Sequence, residues 1–485
     1  MYKRVHPVYM VESIWRQLYL LLIPLVRGML HIYSMDGFYQ WLRGAWLDLL
    51  VLLFILCVSF LSWRFQRYRV DESGVVVRKG FLIRREISIP LSSVSTLMIY
   101  EPFFLRPLHA VHLFVDTDAG SVRRADCQVT ISRRDAMELA ENGGVLRLEK
   151  ESRLYRPKWY EVAFLSVFVS STFTGVVFLA TFFGKGGDIL GDDFRMQLLN
   201  RLEGVAHLVY FIPEAAVMVA LLLLVAWGIG FIHNFLSYVN FAAYRQKGYI
   251  RLRYGWPSRR WYTCRTEAVN FVDYRQSILS KLLRVYMVFI QCAGYAKSSG
   301  EHAVLIPAGD QRSVRNTMET LLPEFQRRKR QIKPPSGSVI RYAMLPFWCG
   351  VAVAAGAVVA AWLLPEWKSL ILFFGIMLAL PFVWLLLVRL IDCYTAGIGA
   401  SEEHLTLYYT VFYAFHTVVV PKEKINNIYI RSSLLQKWSG NCDVIIYTYS
   451  EMGRRHRVEN LKISEVEALL EKSGLLSKSG EREKL

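Results

Sequence analysis

The chain has 485 residues, of which 53% are hydrophobic, and its 58 Lys and Arg outnumber its 40 Asp and Glu. A mean hydropathy of +0.27 is too high for an ordinary soluble protein of this length. The apolar residues are gathered in long runs, which indicates membrane spans. The seven cysteines are scattered and form no CxxC pair, so the composition favours a reducing compartment and excludes a disulfide framework.

Six apolar runs predict six transmembrane helices arranged as three hairpins. Most runs hold about 20 residues, which at 1.5 Å per residue is enough to cross a hydrocarbon layer of ~30 Å. Their approximate limits are 17–34, 45–63, 161–183, 208–232, 343–364 and 369–391.

The distribution of charge predicts the orientation of these hairpins. Lys and Arg are concentrated in the three long segments 64–158, 232–341 and 389–485, whereas the loops inside the hairpins contain few. By the positive-inside rule, the three segments and both termini are cytoplasmic. We therefore expect a multi-pass protein of a cytoplasmic membrane.

The three cytoplasmic segments repeat one plan of strands and turns. Gly80 precedes Val94 by 14 residues, and Gly255 precedes Val269 by the same number. Apolar residues that alternate with period two indicate half-buried antiparallel strands. Two of the segments end on a Ser with an acidic residue three positions later, which predicts a closing helix.

The predicted fold class is therefore an α+β membrane protein, in which each hairpin is followed by a small cytoplasmic β-barrel with a C-terminal helix. The predicted domains are a first hairpin (1–63), a first β-domain (64–158), a second hairpin (159–235), a second β-domain (236–333), a third hairpin (334–391), and a third β-domain with a tail (392–485).

Several stretches of the first segment carry a family resemblance. They are Tyr68-Arg69 at the membrane exit, the turn at Gly80, "ISIPLSSVSTLMI" from Ile87, the apolar Phe103–Leu108, and "VHLFVDTDAG" from Val111. With them the chain resembles, over essentially its whole length, the bacterial PH-domain proteins called membrane-flanked-domain or YdbT-like. The third segment departs most, because it lacks the Gly-aromatic turn at Thr410-Val411.

The resemblance implies PH-like barrels that hang from a bacterial cytoplasmic membrane. It also implies a smaller PH-domain membrane protein as a partner. A further implication is a link to envelope stress or antimicrobial-peptide resistance.

The second segment is the most basic of the three, and it interleaves its Arg and Lys with Tyr and Trp. Such a patch can bind the anionic inner leaflet, at about 1 kcal/mol per basic residue near the surface. The alternative is positive-inside topology with a solvated domain face. Nucleic acid is not expected as a partner, because no DNA- or RNA-binding motif accompanies the charge. The candidate residues are Arg245, Lys247, Arg251, Arg253, Arg259 and Arg260.

An apolar segment recurs after the same strand in all three repeats. It is either domain core or a surface that contacts another domain or the bilayer. The candidate contact residues are Phe103, Phe104, Leu105, Leu279, Leu435 and Trp438.

Arg27 interrupts the first predicted span, and Asp48 in the second is a possible partner. Intramembrane charges are functional candidates, although Arg27 could also extend to the interface by snorkelling. A transporter or lipid-handling protein that uses this pair is therefore the alternative function. No GxSxG, P-loop or HExxH motif is present, so we expect no enzyme, no cofactor and no metal. The leading hypothesis is a non-enzymatic scaffold that binds lipid and protein.

Overall fold

The computed structural model describes residues 2–17, 35–71, 74–81, 83–117, 125–142, 153–169, 214–246, 248–292, 303–449 and 455–475. The helices are α1 (Val8–Gln17), α2 (Met35–Phe65), α3 (Arg133–Asn142), α4 (Trp159–Val169), α5 (Glu214–Tyr238), α6 (Ile278–Leu282), α7 (Gln311–Leu321), α8 (Val339–Leu363), α9 (Lys368–Thr395), α10 (Leu434–Trp438) and α11 (Ile463–Lys472). Short 3₁₀ turns occupy Leu91–Ser93, Phe103–Leu108, Ser336–Ser338, Pro365–Trp367 and Lys422–Lys424.

The strands fall into three groups that follow the three repeats. Before the first hairpin lies β1 (Lys3–Arg4), and before the second lies β8 (Arg153–Tyr155). The first domain contains β2 (Arg67–Asp71), β3 (Gly74–Lys79), β4 (Arg85–Pro90), β5 (Val94–Glu101), β6 (Ala110–Thr117) and β7 (Cys127–Ser132). The second contains β9 (Ala242–Gln246), β10 (Tyr249–Tyr254), β11 (Arg259–Arg265), β12 (Val269–Gln276), β13 (Val285–Cys292) and β14 (Val304–Asp310). The third contains β15 (Gly397–Ala400), β16 (His404–Val411), β17 (Ala414–Pro421), β18 (Ile425–Arg431), β19 (Asn441–Thr448) and β20 (Arg455–Lys462).

Each domain therefore has six strands, which we call strands 1 to 6, and a closing helix: α3, α7 or α11. Strands 1–3 are antiparallel neighbours in one sheet, and strands 4–6 are antiparallel neighbours in another. In the part of the chain that the structure describes, strands 3 and 4 of the same domain do not pair with each other. Each domain, as far as the structure describes it, is thus built from two sheets that share a core, and the barrel form stays a prediction.

Strand 4 of one domain pairs instead with strand 3 of the next domain. At the first junction, β5 pairs antiparallel with β11. At the second junction, β12 pairs antiparallel with β17. The three domains are thereby joined through a seven-stranded and a six-stranded sheet.

The two junctions use the same register. Leu97 lies opposite Thr263 at the first junction, and Val272 lies opposite Val419 at the second. Leu97 and Val272 are each the third residue after the start of strand 4, and Thr263 and Val419 each come two residues before the end of strand 3. The chain therefore makes one contact twice.

Strand 4 contributes to the cores on both sides of a junction, because successive side chains point to opposite faces of a sheet. Leu97 and Ile99 belong to the core of the first domain. Met98, between them, belongs to the core of the second domain. Burial of each such side chain contributes about 1.5–3 kcal/mol, so the junctions are stabilised like domain interiors.

A short segment before each hairpin pairs with strand 1 after it. Lys3 lies opposite Tyr68, Arg153 lies opposite Arg245, and Ile332 forms a bridge with Ile398. The chain therefore leaves each domain and returns to it at the same sheet edge.

Two helical segments, Ser336–Leu363 and Ile371–Thr395, are long and apolar enough to cross a membrane. They coincide with the fifth and sixth predicted spans, and most of their side chains are not buried within the protein. The first predicted span lies outside the described residues except for Gln17, the last residue of α1. The second, third and fourth overlap shorter described apolar helices at Leu50–Phe65, Trp159–Phe168 and Leu222–Tyr238.

In the second domain, the turn between strands 2 and 3 requires a glycine at position 255. Gly255 has a φ of +104°, and a Cβ there would lie 2.3 Å from the Ser258 carbonyl oxygen. We expect Gly255→Ala to reduce the free energy of unfolding by about 1–3 kcal/mol. Gly248→Ala is the matched control, because Gly248 also has a positive φ but has no atom within 4 Å of the added Cβ. Thermal unfolding in detergent measures both, and equal losses would refute the importance of the close contact.

Candidate membrane-facing edge and domain junctions

The turns between strands 2 and 3 lie where the hairpin helices enter their domains. The backbone N–H of Gly255 donates to the Val239 carbonyl oxygen at 2.7 Å, and that of Trp256 donates to Leu236 at 3.0 Å. In the third domain, the Tyr413 hydroxyl donates to the carbonyl oxygen of Pro381 in α9 at 3.1 Å. In the second and third domains, the turn between strands 2 and 3 is thus hydrogen-bonded to the hairpin helix that leads into strand 1, or to the residue just after it.

Each of these turns exposes an aromatic side chain at its tip. The residues are Phe81, Trp256 and Phe412, the last of which is 76% exposed. Phe412 has a φ of +51° although it is not glycine. The third repeat has therefore lost the glycine of the turn, as the sequence indicated, but it keeps the aromatic residue.

The segments between strands 4 and 5 lie at the same end of each domain, because the strands run alternately away from the hairpin and back. They expose most of the predicted apolar contact residues: Phe103, Phe104, Leu279, Leu435 and Trp438, of which Trp438 is 88% exposed. Leu105 differs, since it is 1% exposed and packs with Val8 and Ala110. The sequence could not show that Leu105 is buried while Phe103 and Phe104 are exposed, because all three residues are apolar and adjacent.

The exposed segments of successive domains touch one another. The Phe103 N–H donates to Ser258 Oγ in the next domain at 3.3 Å. In the second domain, Lys281 Nζ lies 3.8 Å from the ring centroid of Phe415 in the third, and burial lowers the pKa of Lys281 to about 8. Arg341, at the start of α8, donates to Ser433 Oγ beside α10 at 3.2 Å.

These contacts, together with the packing of Phe81 on Phe65 of α2, place the exposed apolar residues at the end of each domain where its hairpin helix enters. We call this surface the apolar edge. Its members are Phe81, Phe103, Phe104, Trp256, Leu279, Phe412, Leu435 and Trp438.

The candidate basic residues do not form one surface. Arg245 donates to the Leu321 carbonyl oxygen at 2.7 Å and to Glu324 Oε2 at 2.9 Å, so it fastens strand 1 to the end of α7. Arg251 is buried, and its burial lowers the pKa of its guanidinium. Lys247 lies outside the described residues.

Two further candidates lie within the first junction. Arg259 is opposite Glu101 across the β5–β11 pairing, and Arg260 lies 5.0 Å from the ring centroid of Tyr100. Both residues therefore lie where the second domain meets the first, which a count of charges could not show.

Arg253 alone among the described candidates is an exposed arginine beside a cavity. This cavity has a volume of about 690 Å³ and lies where α4 begins and α5 ends. Arg156 is also exposed there, and it is not among the residues predicted from the sequence to bind lipid. Its position just before the third predicted span is the sequence signal that could have identified it. The lining residues include Arg156, Trp159, Phe235, Tyr244 and Arg253.

The second junction contains a buried polar cluster. Asp273 Oδ2 accepts hydrogen bonds from Arg275 Nε at 2.6 Å and from His416 Nδ1 at 2.9 Å. Burial alone would raise the pKa of Asp273, but the neighbouring His416 and Arg275 hold it well below its usual range. Asp273 and His416 belong to different domains, so this hydrogen bond ties the domains together.

The cluster continues into the third domain. The Tyr409 ring stacks on His416 with centroids 5.3 Å apart, and its hydroxyl is 2.8 Å from Nδ1 of His456. Burial lowers the pKa of His456 to about 4, so the imidazole is neutral at physiological pH. This network is a buried structural element without an exposed nucleophile.

Arg27 lies outside the described residues, and the Asp48 side chain is not described. The structure therefore gives no geometry for this predicted pair. Among the side chains that are described, no group of three or more His, Cys, Asp and Glu could hold a metal ion.

A family model described as "Bacterial PH domain" matches the chain three times, at residues 20–142, 198–322 and 348–475. Together the matches cover well over half of the chain, and each ends within or beside the closing helix of a domain. No curated protein and no solved structure matches the chain.

Proposed function

The chain belongs to the bacterial PH-domain family, and from that premise we propose that it is a non-catalytic scaffold whose three PH-like domains lie side by side against a membrane. The observation that carries this proposal is the apolar edge. Exposed aromatic and aliphatic residues recur at equivalent turns of all three domains. In the third domain they lie beside α8 and α9, which are long and apolar enough to span a bilayer. Aromatic residues are enriched at membrane interfaces, where such an edge would be buried.

The sheet pairing before and after each hairpin supports the predicted topology. Because the chain leaves and re-enters a domain at one sheet edge, the intervening segment must cross a membrane an even number of times or not at all. Three hairpins would give six spans, with the domains and both termini on one side. The surplus of Lys and Arg in the domain segments favours the cytoplasmic side of a bacterial membrane.

The depth of the apolar edge in a bilayer tests the proposal. Trp256→Cys and Phe412→Cys would each carry an environment-sensitive fluorophore, in a chain with Cys57 and Cys349 replaced by Ser. We expect blue-shifted emission, quenched by nitroxide-labelled lipid, in vesicles of phosphatidylethanolamine and phosphatidylglycerol. Glu267→Cys and Glu423→Cys are matched controls, since both residues are exposed at the opposite end of the strands. If all four positions respond only to a water-soluble quencher, the edge does not face lipid.

We further propose that the cavity beside Arg156 and Arg253 binds an anionic lipid headgroup. It opens beside the apolar helices α4 and α5 and combines two exposed guanidinium groups with aromatic walls, and arginine donates two hydrogen bonds to a phosphate in a favourable geometry.

The test compares phosphatidylglycerol binding to the delipidated full chain by native mass spectrometry. We expect the double variant Arg156→Ala and Arg253→Ala to lower affinity by about 30-fold, at about 1 kcal/mol per basic residue. Arg134→Ala with Arg312→Ala removes the same charge from exposed positions elsewhere. An equal loss in both double variants would show general electrostatic attraction and no site.

The partner and the physiological role are also part of this proposal. A smaller PH-domain membrane protein is the proposed partner, and envelope-stress or antimicrobial-peptide resistance is the proposed role. Both rest on the resemblance to YdbT-like proteins. Crosslinking in native membranes followed by mass spectrometry tests the partner, and peptide sensitivity of a deletion strain tests the role.

A further inference from the structure

β4 ends the four-stranded sheet of the first domain and β18 ends the three-stranded sheet of the third, so in the part of the chain that the structure describes each has a single neighbouring strand. β4 pairs only with β3, and β18 pairs only with β19. β4 is strand 3 of the first domain, and β18 is strand 4 of the third. At each internal junction, strand 4 of one domain pairs with strand 3 of the next. β18 and β4 are therefore the same two kinds of strand, each without such a partner in the described part of the chain.

The outward side chains of these two strands are exposed, whereas their counterparts at the junctions are covered. Tyr429 of β18 is 53% exposed, but Met98 and Asp273, at the same position of β5 and β12, are each 3% exposed. On β4, Ser88 is exposed, whereas Thr263 at the equivalent position of β11 is buried.

We propose that β18 of one copy of this chain pairs antiparallel with β4 of a second copy, in the register of the two internal junctions. That register puts Ile428 opposite Ser88, Tyr429 opposite Ile87, and Arg431 opposite Arg85. Such a head-to-tail contact forms a ring when its rotation closes and an open row when it does not.

Continuity with the internal junctions is the reason for choosing a second copy as the occupant. A free edge can accept any extended peptide through its backbone, but the same register at both junctions shows that strand 4 of one domain can pair with strand 3 of another. Pro90 at the end of β4 is no obstacle, because Pro421 occupies the equivalent place in β17. β17 nevertheless pairs with β12.

The proposed pairing contains one unfavourable contact. Like charges directly opposite each other across a strand pair are unfavourable, and the proposed register places Arg431 against Arg85. The assembly is therefore expected to be modest in strength and to strengthen with added salt, which screens exposed charges.

Cysteine crosslinking of the full chain in mild detergent tests the register. In a chain with Cys57 and Cys349 replaced by Ser, Ser88→Cys combined with Ile428→Cys is expected to give disulfide-linked chains on a non-reducing gel. The matched control combines Ser88→Cys with Tyr429→Cys, whose side chains would point to opposite faces. No linked species from the first pair, or equal linkage from both, would overturn the proposal.

Charge reversal tests the same contact at exposed positions where folding is not at risk. Either Arg431→Glu or Arg85→Glu is expected to raise the association constant, measured by mass photometry, by roughly three- to tenfold. The double variant restores like charges and is expected to return to the wild-type value. If all four proteins have the mass of a single chain, β4 and β18 do not pair between copies and are simply the ends of their sheets. The proposal that the apolar edge contacts a membrane would be unaffected.

Discussion

Replacing Asp273 by alanine is expected to destabilise the second junction by about 3 kcal/mol, because His416 and Arg275 lose the carboxylate that they share. The figure is at the low end for a buried ion pair, since the Arg275 side chain is 31% exposed. Asp273→Asn keeps hydrogen-bonding capacity without charge, so its loss should be smaller. Thermal unfolding in detergent gives the size of each effect, and limited proteolysis shows whether the third domain separates first.

Asp310 provides the matched control for this prediction. Its side chain caps α7 by accepting a hydrogen bond from the Arg312 N–H at 3.2 Å, and its neighbours lie within one domain. Asp310→Ala is expected to cost about 1 kcal/mol without releasing the third domain. If Asp273→Ala costs no more than Asp310→Ala, the buried cluster does not hold the junction.

The repeat and its strands could be predicted from the sequence because they depend on local pattern. Alternating apolar residues identified β3 and β4, and Gly80 and Gly255 marked turns that require a positive φ. The family match then confirmed three PH-domain repeats. The junctions were missed, because the hydrogen bonds of an edge strand do not depend on whether its neighbour belongs to the same domain.

A sequence signal for the junctions nevertheless exists. A strand buried on both faces reads as a continuous apolar run, and Leu97-Met98-Ile99 in β5 is such a run. β18 instead exposes Asn427, Tyr429 and Arg431 on alternate positions. The contrast distinguishes β5 from β18, whereas β12 enters the second junction with the polar Asn270 and Asp273 in its sequence.

The candidate basic residues show that the position of a charge in the sequence does not reveal which residues it contacts in the folded protein. Arg245 has its partner Glu324 79 positions away, and Arg259 and Arg260 meet residues of another domain. Only the folded chain shows which of these residues lie in domain contacts or in the core. Arg253, together with Arg156, is left as a candidate for lipid binding.

We expect the protein to lose stability on acidification, because it buries a neutral histidine. His456 is buried, and its pKa of about 4 in the folded protein lies below the unfolded value of ~6.5. Between these values the unfolded chain binds a proton that the folded chain does not. Stability from His456 is therefore fully present above pH 6.5 and is lost as the pH falls to about 4, by about 3 kcal/mol in total.

Two variants assign this pH dependence to separate domains. His112, in the first domain, also has its pKa lowered to about 4 by burial, whereas His456 belongs to the third. His456→Gln and His112→Gln should each reduce the slope of stability against pH by about one proton between pH 6.5 and 4. Denaturant unfolding at several pH values, followed by proteolysis at each, shows which domain opens. Because His456 touches Tyr409, which stacks on the His416 partner of Asp273, its variant should change the pH at which the third domain detaches, and the His112 variant should not.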